Sequence, residues 1–359
     1  MAPGIGVGLG IPFQKNAFSF SSYWATRTPS NLYAIVYRDT EADLTWTDPS
    51  GDVPFRIYIS TDGVNYTEKG TTLAGDNTYT ATGLTAGTLY YFKVVAYNGA
   101  NESPSTNVWD TYMKWTIDTT KAGSAADTFV LPVTDKSAGS YFVDWGDGGA
   151  EEEFTTIGNK SHTYAAQGTY QIKVRGGLTS LIFNNAGDRL KLIYIDQWGN
   201  IKLTSCNAMF YNCSNMNSRA LDSPNTRNVL SMKLMFSGCT TFNQSLAHLY
   251  TANVTSMENM LSWCSSFKQS LATLSLASAT NLSLMLNGCN INEVGTTTNY
   301  DATLVAWADD PNTPANLNFN GGTSKYSDAG GGKAARAFLV LATASGGKGW
   351  VITDGGEQI

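Results

Sequence analysis

From about residue 30 to residue 110 the chain alternates apolar and polar positions in short runs: LYAIVY, ADLTWT, FRIYIST, YTATGL and LYYFKVVAY, with turn signals such as Asp62-Gly63 between them. Alternation with a period of two predicts half-buried strands, and the number of runs predicts a sandwich of about seven strands. In YYFKVVAY, Tyr90, Phe92, Val94 and Ala96 fall on one face, and Trp46, on an earlier strand, is placed to cover that face from the opposite sheet. Residues 111–178 repeat the idiom: KWTIDTT and DTFVLPV, then VDWGDGG, then HTYAAQGTYQIKVRG. The local reading is strand, tight acidic turn, strand, with Trp145 in the core and Gly146 and Gly148 supplying the positive φ such a turn needs.

Beyond residue 179 the pattern changes from alternation to long-range repetition. AMFYNC, LMFSGC, NMLSWC and LMLNGC end at Cys213, Cys239, Cys264 and Cys289, at intervals of 26, 25 and 25 residues. Met232 and Met235 recur as Met257 and Met260 in the same register, and Phe242 as Phe267. A period in the twenties predicts a stacked solenoid over 179–295, in which Met235, Met260 and the four periodic cysteines are core residues. TLVAWA and KAARAFLVLAT are the convincing helix candidates, and they place a small α-containing cap over 296–359 that closes the last coil. Residues 1–29 carry no periodic apolar face and read as an extended arm, ordered only by docking.

The composition agrees with a mainly β chain of several domains, since charged residues are only 14% of the 359. The balance of 23 basic against 29 acidic side chains, with no basic cluster, argues against nucleic acid as a partner. No membrane insertion is expected, because the longest apolar run, AFLVLATA, is far short of the ~18 residues a span needs. The opening MAPGIGVGLGIPF has no basic residue before Lys15 and makes a poor export signal.

Candidate chemistry is sparse. Between Ile201 and Asn290 only seven Asp, Glu, Lys or Arg residues occur, and the chain has two histidines, so no nucleophile, base and acid fall into a recognisable set. Asp309-Asp310 and Glu151 to Glu153 are the paired carboxylates available to a glycosidase, but adjacent acids in polar stretches are ordinarily solvated. No enzyme activity and no cofactor are expected. Asp144 and Asp147 are weak calcium candidates, because two carboxylates in one turn more often cap backbone amides. His162 reads as a packed, hydrogen-bonded residue. Cys206 lies outside the column of the other cysteines, and disulfides along that column are not expected. Trp263 stands where neighbouring repeats have Gly238 and Gly288. A bulky residue there should project outward as a contact for a sugar face or a protein.

Several stretches resemble known families. GLTAGTLYYFKVVAYNGANESPS, Gly83 to Ser105, resembles the E–F corner and F strand of fibronectin type III domains, with Tyr90 at the tyrosine corner. VDWGDGG with HTYAAQGTYQIKV resembles the PKD (polycystic kidney disease) domain. NVTSMENMLSWCSSFKQSL resembles the 26-residue BspA-like leucine-rich repeats of bacterial surface proteins and mycoplasma lipoproteins. The resemblances imply two immunoglobulin-like β-sandwiches, over 30–110 and 111–178, followed by a short leucine-rich-repeat solenoid. MAPGIGVGLGIPF with SSYWATRTPSNL is similar to the start of structural proteins of phages and prophages in Bacteroidetes-type bacteria. Extracellular modules without an export signal or disulfides fit a virion protein made in the host cytoplasm and exposed after lysis. The expectation is therefore a multi-copy or homo-oligomeric virion component. It would contact other virion proteins through residues 1–29 and host-surface glycan or protein through its modules. The alternatives are a bacterial cell-surface adhesin and a virion spacer with no ligand.

Overall fold

A computed structural model describes residues 23–38, 40–85 and 88–358. The alternating runs form strands β1 (Ser30–Tyr37), β2 (Glu41–Thr47), β3 (Phe55–Ser60), β4 (Thr67–Thr71), β5 (Thr78–Thr82), β6 (Tyr91–Asn98), β7 (Asn101–Glu102) and β8 (Trp109–Asp110). One sheet has the order β1-β2-β5; the other has β4-β3-β6, with β7 and β8 both pairing with β6. Phe92, Val94 and Ala96 are fully buried, and Trp46 meets Phe55 edge-on with ring centroids 5.3 Å apart. Tyr90 is only half-buried, at the edge of this core rather than inside it, because its hydroxyl accepts the Thr85 amide at 3.1 Å to make the corner.

The arm read over 1–29 needs correction at its C-terminal end. Residues 23–27 form a turn that inserts Trp24, 3% exposed, into the sandwich core, and Arg27 pairs with Asp52 beside it. The sandwich therefore begins before Pro29. Residues 1–22 lie outside the described residues.

The second domain comprises β9 (Met113–Asp118), β10 (Thr128–Asp144), β11 (Glu152–Phe154), β12 (Gly158–Thr163) and β13 (Thr169–Leu181). Strand β10 is long enough to serve three partners: Thr128–Val133 pairs with β12, Tyr141–Val143 with β11, and both Val133–Lys136 and Tyr141–Asp144 with β13. Between Lys136 and Tyr141 its register with β13 breaks. The sheet does not stop at the domain edge, because β9 also pairs with β14 (Leu192–Gln197), and β14 runs parallel to β15 (Asn217–Ser218). These are the first rungs of the solenoid, so one hydrophobic core runs from Met113 to Trp350.

The repeats stack through main-chain bonds in the register the sequence period sets. The amides of Phe210, Phe236 and Leu261 donate to the carbonyls of Met235, Met260 and Met285 at 2.9, 2.9 and 3.0 Å. Leucine-rich repeats ordinarily carry a strand in every coil, whereas from residue 219 to 295 only isolated parallel bridges occur here, such as Ser231 to Ser256 to Asn281. The reason is local backbone geometry. Each coil has two left-handed residues, in the columns Ala208, Leu234, Asn259, Leu284 and Asn212, Gly238, Trp263, Gly288, and these interrupt an extended ladder. Inside the stack, Phe210, Phe236, Phe242 and Phe267 lie nearly parallel, with successive centroids 5.8, 4.4 and 6.0 Å apart.

The last coil is covered by helices α1 (Thr298–Asp309) and α2 (Gly332–Val340) and by the parallel pair β16 (Asn318–Asn320) and β17 (Val351–Thr353). Trp307 is buried there and donates its indole N–H to the Leu274 carbonyl at 3.2 Å. Among the described residues no helix is long and apolar enough to cross a membrane.

Candidate functional site

The solenoid surface has few charges, so its exposed aromatic stands out. Trp263 is 61% exposed and has φ 61°, a left-handed conformation that bulky residues rarely adopt. Its amide donates to Asn287 in the next coil at 2.8 Å, so the ladder fixes the backbone from which the ring projects. The ring in turn lies over Gly288. A Cβ built on Gly288 would stand 2.5 Å from Cε3 and 2.8 and 2.9 Å from its ring neighbours Cδ2 and Cζ3. Near-equal distances to an atom and both its neighbours mean approach to the ring face, since an in-plane approach would leave the neighbours much farther away. One face of the indole is thus seated on a glycine, while the residue as a whole stays 61% exposed. That is the geometry of a stacking platform.

The other sequence candidates are committed to structure. Asp144 accepts the Gly146 amide and pairs with Lys173, both at 2.8 Å. Asp147 accepts the Gly149 amide at 3.0 Å and meets His162 Nε2 at 2.9 Å. The Gly149 amide, and then His162, hold the Asp147 carboxyl below its ordinary range. His162 stacks on Trp145, itself buried, with centroids 5.0 Å apart. Among the described residues, no three His, Cys, Asp or Glu side chains gather as a metal site would require. Asp310 caps the turn after α1 by accepting the Asn312 amide at 2.9 Å, and Glu153 accepts the Ser140 hydroxyl at 2.5 Å.

All five cysteines are buried thiols. Cys239, Cys264 and Cys289 donate to the carbonyls of Phe210, Phe236 and Leu261 in the preceding coil, at 3.0, 2.9 and 2.9 Å. Cys206, outside the column, is as buried as the rest, and burial pushes its thiol up to about 12.

Sequence reasoning missed a buried carboxyl beside the sandwich. Asp222 accepts the amides of Trp198 and Gly199 at 2.9 and 2.8 Å, next to the backbone bond from Ser223 to Ile35 of β1. Burial outweighs those two donors and raises its carboxyl to about 7. Because the folded protein holds this proton above the unfolded value, Asp222 should lower stability as pH rises from about 4 to about 7. Asp222→Asn should flatten urea midpoints over that window, and an unchanged slope would contradict the assignment.

The fold defines a modular, mainly β protein in which a sandwich joins a repeat solenoid. More particularly, residues 27–111 match the fibronectin type III domain, and the chain contains such a domain there. Residues 179–299 match the family described as "Mycoplasma protein of unknown function, DUF285". No curated protein matches the chain. Among solved structures, a Fn3-like protein from Clostridium thermocellum is 30% identical, with TM-score 0.22, over 24% of this chain and 91% of that one. The fibronectin type III domain of human fibronectin type III domain containing protein 3 is 27% identical, with TM-score 0.21, over 23% and 81%. Fibronectin-like and repeat domains are typically non-catalytic, and their pairing here points to an adhesion-type module.

Proposed function

We propose that the protein is a non-enzymatic bacteriophage virion component, docked through the arm ahead of its sandwich and displaying the solenoid for host-surface or glycan contact. The middle domain is read as PKD-like and the coils as BspA-like. The observation that carries the adhesive reading is Trp263, a 61% exposed indole braced on Gly288, where the other exposed large apolar side chains described on the solenoid are aliphatic. The column of buried cysteines, in which Cys239, Cys264 and Cys289 bond main-chain carbonyls of the preceding coil, suits assembly in a reducing host cytoplasm before release.

Mass spectrometry of purified particles tests the location. The full chain should be incorporated, while a chain beginning at Tyr23, which keeps Trp24 and hence the sandwich core, should fold but be lost from particles. Equal incorporation of both would remove the arm as anchor, and absence of the full chain would favour a cell-surface adhesin. Binding to host cells should fall with Trp263→Ala if the solenoid is adhesive. Unchanged binding would assign the contact elsewhere.

A further inference from the structure

A broad recess lies between the fibronectin-type sandwich and the second domain. It is an open trough of about 840 Å³, within the roughly 300–1,000 Å³ of ligand clefts, and domain junctions are where such clefts are commonly found. Tyr91 at the start of β6 contributes one wall, and Tyr112 and Phe142 the other. The floor is formed where β10 and β13 lose register: residues 137–140 bulge out of the ladder and pack against Gly176 and Gly177, with the Ser137 hydroxyl donating to the Gly177 carbonyl at 3.2 Å, so the floor has backbone and small side chains instead of bulky ones. Gly176 is required there, since it has φ 93° and a Cβ would stand 2.7 Å from the Ser140 carbonyl oxygen.

The polar groups of the trough are held in place before any ligand arrives. Arg175 lies over the Phe142 ring at 3.9 Å and grips Glu151 through Nε and Nη2, at 3.1 and 2.6 Å to Oε2. The Tyr112 hydroxyl donates to Glu151 Oε1 at 2.7 Å. Although burial pushes Glu151 upward, Arg175 and Tyr112 keep it below the ordinary carboxylate range, so it stays ionised. The two walls are pinned to each other. Thr111 donates its amide to the Tyr90 carbonyl at 3.0 Å, its hydroxyl accepts the Tyr90 amide at 2.9 Å, and Asn200 of the solenoid side donates to the Thr88 carbonyl at 2.6 Å.

Tyr91 and Tyr112, beside a fixed carboxylate, a fixed guanidinium and hydroxyls in an open trough with a glycine floor, suit a flat, hydroxyl-rich ligand. Its apolar C–H faces stack on rings, and its hydroxyls both donate and accept. With Arg175 opposed by Glu151, the lining carries at most the single net positive charge of Lys202. We infer that this inter-domain trough binds an extended saccharide, at a site separate from the Trp263 platform. The inference rests on the adhesive reading only in assigning the protein a glycan contact.

Affinity electrophoresis of the full chain through gels containing dextran, mannan, xyloglucan or polygalacturonate tests it. At least one polymer should retard the protein. Tyr91→Ala should weaken that retardation roughly tenfold, as expected for loss of a stacking ring. Thr61→Trp, at an exposed rim position, should block the trough without lowering the melting temperature, and Trp263→Ala should leave retardation intact. No retardation in any gel, or retardation abolished by Trp263→Ala but kept by both trough variants, would overturn the site. Either result leaves the virion reading to be decided separately by particle content.

Discussion

Asp188→Ala is expected to destabilise the protein by about 3–5 kcal/mol, the range for breaking a fully buried charge pair. Asp188 and Lys191 have no side-chain exposure, and their charged atoms are 3.7 Å apart. Each is also the hub of a set of hydrogen bonds. Asp188 accepts the Ser124 and Val130 amides at 2.6 and 2.7 Å, and Lys191 donates to the carbonyls of Ala125 and Thr128 at 2.8 and 2.7 Å. Removing the carboxylate orphans two buried amides and leaves an ammonium without its counter-charge, so the loss exceeds that of one bond. The pair ties the loop before β10 to the first coil of the solenoid. Its loss should therefore also open the loop to proteolysis near residues 122–127. Urea unfolding measures the first effect, and a midpoint within experimental scatter of the parent would show that the pair is not the clamp described.

Met235→Ala and Met260→Ala should each cost about 2–5 kcal/mol. Both side chains are fully buried, and their carbonyls accept the ladder bonds from Phe210 and Phe236. A coil has apolar neighbours only above and below, so a cavity in one layer has few side chains free to collapse into it. The double variant should lose more than either single one, because the two sites occupy adjacent layers and share Phe236. Near-neutral unfolding midpoints for both single variants would refute the core assignment.

The parts of the fold set by periodicity were legible in the sequence. The repeated Met, Phe and Cys positions gave the stacking register, and alternation in YYFKVVAY gave the inward face of Phe92, Val94 and Ala96. Trp24 was not legible, because a lone aromatic in a Ser-rich segment has no period to place it. Leu234 and Leu284 at positive φ, 59° and 56°, run against residue preference and are imposed by the ladder bonds of neighbouring coils. The Asp188–Lys191 clamp was hidden for a related reason: in NAGDRLKL the charges look solvated, and only a loop more than sixty residues earlier in the chain buries them. At the candidate site, the outward Trp263 followed from its substitution for a turn glycine. The trough did not, because its walls come from separate domains and its floor from a break in strand register.

The pairing of β9 with β14 bears on the order in which the molecule assembles. Early coils of a solenoid are unfavourable by themselves, since each gains its contacts from a neighbour about one repeat away. Here the free edge of a preformed sheet offers β14 a template, so the nucleus is supplied by the preceding domain and coils add one at a time toward the C-terminus. Growth in that direction follows the direction of synthesis, and the helical cap, which touches the final coil, is the last piece to settle. In pulsed hydrogen exchange during refolding, amides of β9 and β14 should gain protection first, those of Phe210, Phe236 and Leu261 in that order, and those of α1 last.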